Sequence, residues 1–217
     1  MFLTFRDLTQ KSMSDQWADL PLKGSEALPA GSPRPGPTVQ IGGKETALAV
    51  VGAGNSIASA ARSFAAMDYN VTFQLVMENY TNKHLYTYQA YNHSGHIKEA
   101  NQDVRPGMKE GLAGHKSSST ATGCSGTVAW KIGTTNKMVV VMYSVPYSHD
   151  WHSNWCGVGI FDVQETSNFF EKMYNDQEVN FKRKDFYRDQ DAVTYRDADF
   201  EVNATMGTSH KSTIQAN

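Results

Sequence analysis

The chain has 217 residues, enough for one domain with a full core and too few for two large ones. Hydrophobic residues make up 40% and charged residues 19%, which excludes a chain disordered throughout. A formal net charge of −2 offers no basic face to nucleic acid, so any attraction to a membrane has to come from specific or apolar contacts.

Residues 1 to about 44 hold five of the seven prolines (Pro21, Pro29, Pro33, Pro35 and Pro37), and the run LPAGSPRPGP can neither sustain a helix nor bury much surface. They read as a flexible leader or pro-segment, 1–44, ahead of one domain over 45–217. The opening MFLTFRDLTQKS meets Arg6 and Asp7 before any apolar run develops and does not read as a signal peptide. No stretch reaches the ~18 uninterrupted apolar residues of a transmembrane helix.

Thr46 to Met67, TALAVVGAGNSIASAARSFAAM, predicts an amphipathic helix. Thr46 can cap it, and its Ala, Leu and Met favour helix, although Gly52 and Gly54 each cost about 1 kcal/mol. Val50, Gly54, Ile57, Ala61 and Phe64 share one face at helical spacing, and Asn55, Ser59, Arg62 and Ser63 lie off it. At about 1.5 Å per residue the segment reaches roughly 33 Å, the thickness of a bilayer's hydrocarbon core. It is long enough to span and too polar to do so alone.

From Asp68 the period becomes two. Val71, Phe73, Leu75 and Met77 alternate with more polar neighbours, and His84–Tyr91 forms the next strand after a turn at 79–83. The Gly- and Ser-rich stretch containing Gly111, Gly114 and Ser117 to Ser119 reads as a loop. Gly123–Ile132 and Lys137–Val145 form a hairpin around Gly133–Asn136, and Gly157–Val163 is another strand. Ser167–Asp176 reads as a short helix with Phe170, Met173 and Tyr174 on one side, and 198–205 and 211–215 close the fold. Many short strands with a helix at either side predict a mainly β fold, a compact β-sandwich flanked by two α-helices, the N-terminal one amphipathic.

Motifs for catalysis or cofactors are weak. Gly52-x-Gly54 lacks the third glycine of a dinucleotide cradle, and β structure follows it rather than a β-α-β unit. His93 with His96, and His149 with His152, have chelating spacing only on a helix; both pairs sit in turn-like sequence and read as solvated loop histidines, with no metal and no cofactor expected. No nucleophile-and-base arrangement is visible, so no enzyme is expected. Cys124 and Cys156 fit no zinc pattern and read as two free buried thiols, though a fold that joined them could pair them. Four Asn-x-Ser/Thr triplets, at Asn70, Asn79, Asn92 and Asn203, are too common by chance to bear on secretion.

The densest feature is Ser144-Val-Pro-Tyr-Ser-His-Asp-Trp-His-Ser-Asn-Trp155. Its rings have Ser148, Asp150, Ser153 and Asn154 as neighbours, so they read as a polar loop rather than a core strand. Exposed Trp and Tyr are costly unless they meet something amphipathic such as a bilayer interface, and an aromatic-lined site also suits a quaternary ammonium. A loop folded on its own cluster, or a protein–protein hot spot, explains the residue types equally well.

At these residues the sequence resembles the actinoporins, pore-forming cytolysins of sea anemones with relatives in other animals. The likeness runs through Ala121-Thr-Gly123, the hairpin, Ser144-Val-Pro-Tyr147, Trp151-x-Ser153-Asn154-Trp155 and the following helix. It extends more weakly to 46–67, to His93-Ser94-Gly95 and to the C-terminus, and it excludes the leader. The resemblance implies a secreted, soluble β-sandwich that binds phosphocholine head groups, typically of sphingomyelin. It further implies self-association into a homo-oligomer and insertion of the N-terminal amphipathic helix, through Val50, Ile57, Ala61 and Phe64, to line a cation-permeable pore. A lectin-like or lipid-sensing module that no longer perforates is the alternative on the same fold.

Carried over residue by residue, Ser94, Ser144 and Pro146 match head-group positions and Trp151 and Trp155 match interfacial tryptophans. Phe170 and Tyr174 fall where the family helix has two of three tyrosines. Asn175 replaces the third, His152 stands where a tyrosine is usual, and His93 stands where an arginine often precedes the serine. Losing two rings weakens a choline cage by about 1–2 kcal/mol, roughly five- to thirty-fold. His152 also adds a titratable group, whose protonation near pH 6 would repel choline.

Overall fold

The strand Lys137–Val145 shows how the chain sorts its side chains. Val139, Val141, Tyr143 and Val145 join one buried cluster, and the alternate residues Met138, Val140 and Met142 join another. Such a strand is covered on both faces, which is why it is apolar without interruption. The structure, a computed structural model, describes residues 52–164, 168–175, 177–188 and 190–217. The expected leader over 1–44, the helix cap at Thr46, and Val50 lie outside these residues.

Among the described residues the chain runs β1 (Gly52–Ala53), α1 (Asn55–Ala66), β2 (Thr72–Glu78), β3 (Leu85–Ser94), β4 (His96–Glu99) and β5 (Met108–His115). The hairpin β6 (Cys124–Ile132) and β7 (Lys137–Val145) follows, then β8 (Asn154–Asp162) and α2 (Phe169–Asn175). β9 (Phe181–Phe186), β10 (Val193–Arg196), β11 (Glu201–Met206) and β12 (Lys211–Ala216) complete it. One sheet has the order β1-β5-β2-β12-β11-β10, with β4 also paired to β5; the other has the order β3-β6-β7-β8-β9. The fold is therefore mainly β, a two-sheet sandwich with two helices, as the alternation predicts.

Three apolar layers hold it together. The central one lies between the sheets and contains Phe73, Leu75, Trp130, Val141, Tyr143, Val158, Val202 and Ile214. A second, under α2 on the outer face of the five-stranded sheet, joins Phe169, Phe170 and Met173 to Ala129, Met138, Val140, Met142, Phe161 and Phe181. The third, under α1, is small: Ala60, Met67 and Ala113, with Phe64 and Tyr69 partly buried beside them. Cys124 and Cys156 are free and buried in the central layer, as expected. Burial pushes the Cys156 thiol up to about 12 and raises that of Cys124 as well.

The structure corrects the sequence reading in four places. The helix expected over 46–67 does not include 52–54, because Gly52 and Ala53 pair in parallel with Met108 and Lys109, and the Gly54 N–H donates to the Lys109 carbonyl at 2.7 Å. The face buried on α1 is centred on Ala60, and Ala61 is exposed. The stretch expected as a Gly/Ser loop contains β5, which is registered along β2 from Thr72–His115 to Glu78–Lys109. Its Gly111 reads as a loop signal but serves a close approach: a Cβ there would lie 3.2 Å from the Cβ of Ala60. Of the histidines expected in solvated loops, His93 and His96 are exposed but sit in β3 and β4, and His149 and His152 lie in a loop but are half-buried.

Candidate functional site

One end of the five-stranded sheet gathers most of the expected site. β6 and β7 pair from Cys124–Val145 through Ser125–Ser144, which brings the 121–123 segment beside Pro146. Contact there is close enough to demand glycine: a Cβ on Gly123 would stand 2.0 Å from the Val145 carbonyl oxygen. From β3, the Ser94 hydroxyl donates to the Gly123 carbonyl at 2.9 Å. The result is an open cavity of about 380 Å³, lined by Ser94, Thr122, Ser144, Pro146, Tyr147 and His152 among others. Its lining combines five serine and threonine residues with Pro146, Tyr147 and two histidines.

Lys116 places a cation at this end. Nine-tenths buried, it holds its Nζ 5.5 Å from the centre of the Tyr147 ring and donates to the Ser117 carbonyl at 2.9 Å. Burial holds His152 below the ordinary imidazole range, with a backbone hydrogen bond at Trp151 opposing the shift. Its charge change therefore falls below ~6.5, lower than its exposed counterpart's.

The aromatic residues form a second group. Trp155 lies in β8, not in the loop, with its ring 6.4 Å from Tyr174; Tyr174 stacks with Phe170 at 5.4 Å, and Phe170 with His93 at 4.4 Å. This row of four rings reaches the cavity at His93, which lines it. His93 Nδ1 is also 3.4 Å from Glu171 Oε1, so the row ends in a carboxylate. Arg183 donates to the Met173 and Tyr174 carbonyls and so fixes the C-terminal end of α2. Burial raises the Tyr174 hydroxyl above its usual value, with Arg183 acting the other way, so it stays a neutral phenol.

Ser94, Ser144, Pro146 and His152 thus meet in one cavity, and Trp155, Phe170 and Tyr174 meet in the adjoining row. Phe170 is 0% exposed and belongs to the core under α2, so its part is to support the row from below. Trp151 is 58% exposed and joins neither group; it projects from the loop between β7 and β8. Tyr147, at 42%, is exposed beside it. Thr122 belongs to the Ala121-Thr-Gly123 motif but carried no expected role, and Lys116 belongs to no motif, so only the fold brings it here. Of the proposed insertion residues, Ile57 and Phe64 are half-buried on α1, which lies away from this cavity against β5.

Known proteins bear on this arrangement. A family model described as sea anemone cytotoxic protein matches residues 55–213. The chain belongs to the actinoporins. Tereporin-Ca1 of Terebra anilis is 36% identical over 175 residues, which span 75% of this chain and 92% of that protein. Tereporin-Ts1 of Terebra subulata is 32% identical over 204 residues, 86% of this chain and 99% of that one. Among solved structures, the lipid binding protein Nakanori shares the fold, with a TM-score of 0.60 at 12% identity over 74% of this chain and 77% of its own. Among the described residues of this actinoporin, no helix is long and apolar enough to cross a membrane.

Proposed function

We propose that this actinoporin is a pore-forming cytolysin that docks on lipid head groups with the cavity end of its sandwich, self-associates, and inserts α1 with the chain preceding it. Phosphocholine lipids, sphingomyelin among them, are the expected ligands. The observation that carries the reading is the joint between the hydroxyl-lined cavity and the aromatic row at His93, with Trp151 and Tyr147 standing exposed at the same end. Hydroxyls and backbone suit a phosphate, ring faces suit a choline methyl group, and exposed tryptophan suits the interface.

The departures from the family pattern set its expected weakness. With Asn175 bonded to Glu171 Oε2 at 2.6 Å and His152 in a tyrosine's place, the choline face has fewer rings. Head-group affinity should accordingly be about five- to thirty-fold below that of a full cage. Calcein release from phosphatidylcholine vesicles with and without sphingomyelin tests the proposal. Release from either supports it, release from neither contradicts it, and tight binding without release favours a non-perforating module.

A further inference from the structure

Behind the exposed loop lies a polar cluster that the head-group reading does not use. Asn154, the first residue of β8, is 0% exposed. Its amide nitrogen donates to the carbonyls of Gly207 and Ser209, at 2.7 and 2.9 Å, in the turn between β11 and β12. Both amide protons are then spent, so Oδ1 is the atom facing His149 Nε2 at 2.9 Å. An acceptor in that position requires the His149 proton on Nε2. The His149 ring lies flat on His210, with centroids 3.8 Å apart and planes 14° from parallel. His210 Nε2 is buried with no hydrogen-bond partner among the described residues.

We infer that Asn154, His149 and His210 are positioning residues that clamp the loop carrying Tyr147, Trp151 and His152 to the β11–β12 turn, and that acidification opens the clamp. The lipid role of that loop rests on the function proposed above; the clamp itself does not.

The geometry gives the direction. Two neutral rings stack readily at 3.8 Å, whereas two imidazolium ions at that distance repel. The surrounding charges are Asp150 and His152 on the loop, Lys211 next along β12, and Lys184 and Asp185 on β9, which pair with the start of β8. Burial lowers the His149 titration and His210 lowers it further, while the Asn154 bond and Asp150 partly offset both. A released loop returns His149 to its ordinary value near 6.5. The docked state therefore binds the proton less well: docking is at full strength above about pH 6.5 and weakens as the pH falls toward the lowered value.

Solution NMR of the lipid-free chain tests this, with all variants built on His152→Gln so that the cavity histidine does not contribute. Between about pH 8 and pH 5 the Trp151 indole signal should move together with the His149 ring. His149→Gln keeps a donor for Asn154 and should flatten the profile, and His210→Phe keeps the stacked ring and should make the profile shallower. Asn154→Ala should place the signal at its acidic position at every pH. In parallel, binding of the parent to phosphatidylcholine–sphingomyelin vesicles should fall about tenfold per unit of lost proton linkage, and binding of His149→Gln should not. A Trp151 signal that ignores His149 titration, or a His149→Gln profile equal to the parent's, overturns the clamp. The indole profile as stated, with no vesicle binding by the chain that keeps His152, supports the clamp and defeats the lipid reading alone.

Discussion

The two helices of this protein are held in opposite ways. In about two turns α2 buries Phe169, Phe170 and Met173 in a nine-residue apolar layer. In three turns α1 buries Ala60 alone. Its N-cap is Gly54, which offers no side-chain cap, and its first turn has no acid and its last no base. Those ends are served from the sheet instead. Glu110 Oε2 on β5 accepts from the Ser56 N–H at 3.1 Å and from its hydroxyl at 2.5 Å, and Ser56 Oγ in turn accepts from the Gly111 N–H at 2.7 Å. Glu99 on β4 accepts from the Ser63 hydroxyl at 2.6 Å. A short helix is marginal in water without tertiary support, so α1 stays helical on the body only while these contacts last. α2 is scaffold for the candidate site; α1 is docked by contacts that water or head groups can replace.

Substitutions sharpen that contrast. Phe170→Ala should show the largest effect, a loss of about 3–5 kcal/mol of unfolding free energy, read by denaturant titration with the slope unchanged. Glu110→Ala removes a cap and should cost about 1 kcal/mol. Its distinguishing sign is local: amide exchange should speed up in α1 and not in α2. Trp151→Ala should change stability by no more than ~0.5 kcal/mol, because the ring touches little of the body, while vesicle binding falls. Equal exchange in both helices after Glu110→Ala would break the comparison.

The β framework was legible wherever one residue in two is apolar, as in β2, and wherever a strand is covered on both faces, as in β7. β9 was not legible, because FKRKDF buries only its two end phenylalanines and exposes or half-exposes the charges between. β5 was hidden by its glycines: Gly111 admits α1 and Gly114 leaves room for Phe73 and the His96 carbonyl, demands that come from other parts of the chain. In the candidate site, Ser144, Pro146 and Trp151 stood out by motif. Lys116 and His210 did not, since their partners Tyr147 and His149 lie 31 and 61 positions away. Trp155 looked like a loop residue because its polar neighbour Asn154, fully buried, is spent on the turn between β11 and β12.

Under the function proposed above, α1 has to leave the sheet before the protein acts on membranes. Ala60→Cys with Gly111→Cys tests it, because the two Cβ positions stand 3.2 Å apart, close to the ~3.5–4.5 Å that a disulfide spans. The native thiols are buried and should not compete. The oxidised variant should bind phosphatidylcholine–sphingomyelin vesicles but release no calcein, and a reductant should restore release. Equal release from the oxidised and reduced forms would contradict it.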